Sequence, residues 1–332
     1  TFGAMSAMDP YFYAPNTGEA RLISNKVGDI FSVKDYGALG NGSADDTAEV
    51  QAAFDGACSL SYDPKVYFPR GQYNIAGNVA LGCALYVYGD GPNASAIYET
   101  TQSSLIRALT TDSSLTMVDI AVNTAPLVDT NLGMTAVARG FNGVPTSVGQ
   151  RFLFSNFRSE GFNFGLIISG KDNFNDIYDS LIVENSYIRT YTASGNTVSN
   201  PINAANGKKV WIKNNTLLGD GNGDHAIYTI TIREVRIEGN HIEAYADSAV
   251  KLLTASYGGG ATCTVTTDDY EAWSVIDNVI KDAWLHVAAY TYCAVVLPSL
   301  NIVGNTFRDN PSTYAPSLAT NYIQASCQSV IQ

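Results

Sequence analysis

Phe31-Ser-Val-Lys-Asp-Tyr-Gly-Ala-Leu-Gly-Asn-Gly-Ser-Ala-Asp-Asp-Thr-Ala-Glu-Val-Gln-Ala-Ala-Phe54, followed after a short gap by Lys65-Val-Tyr-Phe-Pro-Arg-Gly-Gln-Tyr-Asn-Ile75, is the stretch whose reading decides the fold. Val33 and Tyr36 read as a short extended segment, and Gly37, Gly40 and Gly42 as tight turns. Asp45, Asp46 and Thr47 supply side-chain oxygens for a helix start, so Asp46 to Ala57 reads as one helix of about three turns with Ala48, Val50, Ala52, Ala53 and Phe54 on its apolar side. Val66 and Phe68 then alternate as a strand does, and Pro69 with Gly71 turns the chain toward Tyr73 and Ile75.

The second half repeats. Ile212-Lys-Asn-Asn215-Thr-Leu217, Ile237-Glu-Gly-Asn240-His-Ile242, Ile276-Asp-Asn278-Val-Ile280 and Ile302-Val-Gly-Asn305-Thr-Phe307 share an apolar residue, an Asn, one spacer and another apolar residue. Val183 to Ile188 is a weaker member with Ser186 at the Asn place, and the spacings from Ser186 onward are 29, 25, 38 and 27 residues. Self-similarity at this period means stacked coils of three short strands. An Asn tolerates the left-handed backbone of a sharp bend, and stacked copies bond along the column, so these Asn read as structural. The long interval before Asn278 holds Ser256 to Ala261, which reads as a loop leaving the stack.

The opening stretch resembles that of the pectate-lyase-like right-handed parallel β-helix proteins, which include phage tailspikes, polysaccharide lyases, mannuronan epimerases and some polygalacturonases. Ala20 to Ile30 resembles the linker joining a tailspike's particle-binding head to its β-helix. The resemblance implies an all-β, right-handed parallel β-helix with an N-terminal capping α-helix. The expected organisation is a linker over 1–30, the opening segment and capping helix over 31–64, the β-helix over 65–309 and a C-terminal tail over 310–332. It further implies a side-by-side homotrimer, carried on a phage tail or baseplate through the N-terminal segment, that binds and cleaves a bacterial surface polysaccharide. As a virion component it would be assembled in host cytoplasm; the alternative is a secreted protein.

Composition agrees. Only 15% of residues are charged, while Gly, Asn, Ser and Thr are plentiful, which suits short strands joined by turns. The net charge of -12 argues against nucleic acid as partner, because that binding needs basic patches. No apolar run is long enough to insert in a membrane. Five scattered cysteines, Cys58, Cys83, Cys263, Cys293 and Cys327, lack metal-like spacing and read as buried free thiols.

Aligning the coils on the Asn column stacks Ile227, Val250 and Val287 inward, with Thr229, Leu252 and Ala289 as the next inward set. Tyr228 then faces outward above Lys251, Ala226 beside Ala249 and His286, and Asp224 beside Asp247. The glycine-rich run Gly219-Asp220-Gly-Asn222-Gly-Asp224-His225 leads into that face. Paired carboxylates suit glycoside cleavage, since one donates a proton while the other stays ionised. The catalytic candidates are therefore Asp220, Asp224 and Asp247, with His225 as a base for the alternative lyase or epimerase chemistry on a uronate polymer. A third reading is a β-helix that binds without catalysis. Lys251, Tyr228 and Arg233 are placed to stabilise developing charge, and Tyr245 and Trp273, like Trp211 and Tyr187, offer aromatic faces for sugars. No cofactor is expected. Asp220, Asn222 and Asp224 alternate like a calcium loop but lack its distal Glu.

Overall fold

The computed structural model describes residues 11–13, 20–22, 30–60, 64–76, 78–100, 105–111, 113–124, 137–143, 149–169, 178–192, 199–254, 272–291, 299–308, 318–320 and 325–331. Apart from one small antiparallel pair, Tyr11–Tyr13 with Ala20–Leu22, the strands pair in parallel. Each strand bonds the equivalent strand one coil earlier and one coil later, which is the connectivity of a parallel β-solenoid.

Three faces recur. The first begins with Lys65–Phe68, Leu85–Gly89, Leu115–Val118, Arg151–Ser155 and Tyr178–Glu184. The second begins with Gly71–Ile75, Ser95–Glu99, Ala121–Thr124, Arg158–Glu160 and Tyr187–Arg189. The third passes through Phe164–Ser169 and residues 200–205, 227–230 and 250–254. From Asn200–Lys213 onward, one strand runs through a corner from third face to first, at Asn206 and then Thr231, both left-handed with φ of 55° and 57°. The ladder continues past residue 309: Leu318–Thr320 pairs with residues 287–289, and Ala325–Ile331 with 300–307.

Alternation places the predicted columns inside. Ile227 pairs with Val250 and Val250 with Val287, and Thr229, Leu252 and Ala289 form the next column, all buried. Ala226 and Ala249, read as outward, are instead fully buried in the main core. Ala226 precedes the strand start at Ile227, and Ala249 stands between Ser248 and Val250, both buried as well, just after a register break between Tyr245 and Ser248. Lys251 lies beside Tyr228 in register, as expected.

The Asn column is one ladder. The Ser186 backbone N–H donates to Asn215 Oδ1, that of Asn215 to Asn240 Oδ1, that of Asn240 to Asn278 Oδ1 and that of Asn278 to Asn305 Oδ1, each at 2.9 Å. These Asn are not the left-handed residues. The positive φ belongs to the residue before each: Asn185, Asn214, Gly239, Asp277 and Gly304. The bend is made there, and the next residue turns its amide inward to satisfy buried backbone groups.

Thr47–Cys58 is the helix, burying Val50, Ala53, Phe54 and Ala57 against the first coils while Ala48 and Ala52 face solvent. Asp46 makes no side-chain bond to it; its carboxylate accepts the N–H groups of Leu39 (2.7 Å) and Gly40 (3.1 Å) and so ties down the preceding turn. Val33–Tyr36 is a 3₁₀ turn rather than an extended segment. Cys58 and Cys83 are not free thiols but a disulfide joining the helix end to the second coil. Cys263, Cys293, the loop Ser256 to Ala261 and most of the segment 1–30 lie outside the described residues, as do the side chains of Cys327 and His286. Among the described residues no helix is long and apolar enough to cross a membrane.

Candidate active site

The glycine-rich run is stitched to the next coil by backbone bonds from Gly219 to Glu243, Gly221 to Ala244 and Ala246 to Gly223. The approach at Gly219 is so close that a Cβ there would lie 2.1 Å from the Ala244 carbonyl oxygen. This docking delivers Asp224 and His225 beside Asp247, with Tyr228 and Lys251 on the adjoining strands. A ligand atom each from Asp224, His225 and Asp247 lies within 4.8 Å of the other two.

His225 organises the cluster from beneath. Its backbone N–H donates to Asn200 Oδ1 (3.0 Å) and its side chain is 1% exposed. Nδ1 lies 3.0 Å from the Ser248 carbonyl oxygen, which can only accept, so Nδ1 carries the proton and Nε2 offers a lone pair. Into that lone pair Lys251 Nζ donates at 3.1 Å, and Asp224 Oδ2 lies 3.2 Å from the same nitrogen. Asp247 Oδ2 is 3.9 Å from both Nε2 and Lys251 Nζ, and Ser248 Oγ donates to Asp247 Oδ1 at 3.1 Å. The Tyr228 ring stands 5.1 Å from the imidazole and 5.5 Å from the Lys251 ammonium.

Burial, then the charge on Lys251, lowers the His225 pKa to about 4, so the imidazole is neutral. Burial, then the charge on Asp247, raises Asp224 to about 6, against the opposing pull of Lys251. The Asp224 and Asp247 side chains are 30% and 33% exposed, so the two carboxyls meet solvent while the imidazole does not. The arrangement presents two carboxyl groups, one of them with a raised pKa, beside the Lys251 side chain on an open face.

The structure brings together Asp224, His225, Asp247, Tyr228 and Lys251, but not the other predicted residues. Asp220 braces a turn: its carboxylate accepts from the Thr192 backbone N–H (2.7 Å), the Thr192 hydroxyl and the Asn222 N–H. Those donors hold both its oxygens in the turn, away from the Asp224, His225 and Asp247 cluster. Tyr245 is buried within the stack, its pKa pushed well up by burial. Trp273 is 1% exposed with Nε1 donating to the Ile232 carbonyl, so neither ring can meet a sugar. Arg233 lies beyond the Thr231 corner, on the first face, whereas Tyr228 precedes it. Asn200 and Ser248 were missed; each lies a coil away from His225 and carries no local signal.

Residues 30–253 match the family model described as rhamnogalacturonase A/epimerase, pectate lyase-like. The chain belongs to this family. Among curated relatives, mannuronan C5-epimerase AlgE3 of Azotobacter vinelandii is 38% identical over 74 residues, 20% of this chain and 4% of that protein. Alginate lyase 7 of the same organism is 34% identical over 74 residues, covering 20% of this chain and 8% of the relative. The family member thus spans a small fraction of these relatives' length. Among solved structures, the AlgE6 A-module of A. vinelandii shares 17% identity at TM-score 0.37 over 91% of this chain and 99% of that one. The Dettilon tailspike protein shares 10% at TM-score 0.45 over 93% and 70%. Likeness at that level assigns neither substrate nor assembly; the solenoid rests on the chain's own strand pairing.

Proposed function

We propose that this family member hydrolyses a polysaccharide on its third face, with Asp224 as general acid and Asp247 as the ionised partner. The observation that carries the reading is the pair of open carboxyls whose environment keeps a proton on Asp224 up to about pH 6. Asp224 gives its proton to the departing glycosidic oxygen as the bond to the anomeric carbon breaks. Asp247 attacks that carbon, and water, deprotonated by Asp224, then releases the glycosyl group. Oxygens within 4.8 Å leave no room for an intervening water, which calls for retention of configuration. Lys251 and Tyr228 line the floor and hold Asp247 and His225 in place.

The lyase or epimerase alternative needs a base at the substrate. His225 is poorly suited, because its Nε2 is covered by Lys251 and its ring is buried; the relatives' names are what favours this alternative. Incubation with a panel of capsular, lipopolysaccharide and uronate glycans separates the readings. New reducing ends without ultraviolet absorbance support hydrolysis, unsaturated ends support a lyase, and neither product supports a pure binder.

We also infer a right-handed coil, the usual hand of parallel crossovers, with Thr47–Cys58 as its cap. On the resemblance of 20–30 we propose a tailspike-like homotrimer, virion-borne through the N-terminal segment. The Cys58–Cys83 bond fits a site of action outside a reducing cytoplasm, on a released particle or as a secreted protein. Light scattering that reports a monomer at micromolar concentration counts against the trimer.

A further inference from the structure

We propose that a pocket on the first face, around Trp211, is a second saccharide site that holds an acidic sugar residue. The inference takes its ligand class from the polysaccharide reading above, but none of its residues belongs to the Asp224 cluster.

The pocket, about 440 Å³, is built by three successive coils: Arg151, then Asp179 with Ile182, then Lys208, Lys209 and Trp211, closed by Glu234 on a fourth. Lys209, Trp211 and Lys213 alternate outward on one strand, and both ammonium groups lie 4.4 Å from the centre of the indole. Trp211 Nε1 donates to Glu234 Oε1 at 2.8 Å, and Lys209 Nζ lies 3.4 Å from Glu234 Oε2, so one carboxylate fixes both the ring and its lysine. Asp179 does the same for the other wall, taking Arg151 Nε and Lys208 Nζ at 3.1 Å each. The Lys208 bond, then that of Arg151, lowers the Asp179 pKa, so it stays ionised.

The two acids therefore hold cations in place, leaving three cations against two carboxylates in the pocket. Arg151 is 75% exposed and is anchored through Nε, which turns the rest of its planar fork toward solvent. That fork matches a carboxylate in two-point geometry, while the indole supplies an apolar edge for the sugar ring. A patch of this sign in a chain of net charge -12 selects an acidic ligand locally. It is too small for a nucleic-acid strand, which needs a longer basic track. The strand Asn200–Lys213 itself runs from the third face through the Asn206 corner to this pocket, so a bound polymer would be held one face away from the cleavage site.

The test is affinity electrophoresis of Asp224→Asn, which should cleave the polymer on the order of a hundredfold more slowly, in gels containing polygalacturonate, alginate, hyaluronate, single-stranded DNA or neutral dextran. At least one acidic polysaccharide should retard it, with dextran and DNA without effect. Arg151→Gln, at a side chain that is 75% exposed, should weaken retardation severalfold. The pair Arg151→Gln with Lys209→Gln should weaken it tenfold or more, and in the Asp224-containing protein cleavage of short oligosaccharides should stay within twofold of normal. Tetragalacturonate should change the Trp fluorescence, its fully methyl-esterified form should not, and Trp211→Phe should abolish the change. Retardation by none of the acidic polysaccharides, equal retardation by dextran, retardation by DNA, or unaltered binding by the double variant overturns the proposal. Absence of hydrolysis with retardation intact overturns the acid-pair reading alone.

Discussion

His225 Nδ1 and the Ser248 carbonyl oxygen face each other at 3.0 Å across adjacent coils, and this contact sets the chemistry of the open face above it. With the proton committed to Nδ1, Nε2 can only accept, so Lys251 and a protonated Asp224 both have a reason to point at it. A buried, neutral imidazole thereby positions an ammonium and a carboxyl group without touching substrate.

Asp224→Asn and Asp247→Asn should each reduce glycan cleavage on the order of a hundredfold or more while binding is retained, since each removes a member of the proton-transfer pair. His225→Gln, which keeps a polar atom near Nε2, should cost less. Because Asp224 must hold its proton, the rate should decline as pH rises through about 6. Initial rates by reducing-end assay from pH 4 to 8 check both points. A rate that climbs to pH 8, or a His225 variant more damaged than both Asp variants, rejects the assignment.

Stability should depend on pH through two opposed groups. Asp224 has a folded pKa raised from 3.8 to about 6, so its contribution is present below about 4 and is lost as pH rises through 6. His225 has a folded pKa lowered from 6.5 to about 4, so its contribution is present above about 6.5 and is lost as pH falls through 4. Over pH 4 to 6 the two slopes offset each other. Asp224→Asn should unmask the histidine, becoming more stable from pH 4.5 to 7, and His225→Gln should show the reverse trend. Thermal midpoints at one scan rate measure this; parallel profiles for both variants refute it.

Asn240→Ala removes the acceptor of the Asn215 backbone N–H and Nδ2 and the donors to Ile212 O and Asn278 Oδ1. Stranding buried groups at about 1 to 3 kcal/mol each should destabilise by roughly 3 kcal/mol or more. Ser186→Ala, at the end of the ladder, should cost less. Equal midpoints for Asn240→Ala and the parent protein contradict the ladder.

Cys58→Ser should lower stability by about 3 kcal/mol, because the bond closes a 25-residue separation. Reductant should do the same to the parent protein and nothing further to the variant. Mass spectrometry of a non-reduced digest should recover the Cys58–Cys83 peptide, and its absence under oxidising conditions is the contrary result.

The chain by itself determined the coil. A parallel stack has a fixed rise of about 4.8 Å and side chains that alternate, so the Asn-spaced repeats sufficed to align Ile227 with Val250 and Val287 and to place Tyr228 by Lys251. It also brought Asp224 toward Asp247 on that same register. Only the tertiary structure decided what happens where the period breaks: which residue at each corner turns left-handed, that Tyr245 and Trp273 face the core, and that Asp220 serves Thr192. It alone paired Cys58 with Cys83 and set His225 between Asn200 and Ser248. The physical reason is the same throughout. Partners in a solenoid lie a whole coil apart in sequence, and the length and path of each corner, which carry no periodic signal, choose the residue that arrives beside them.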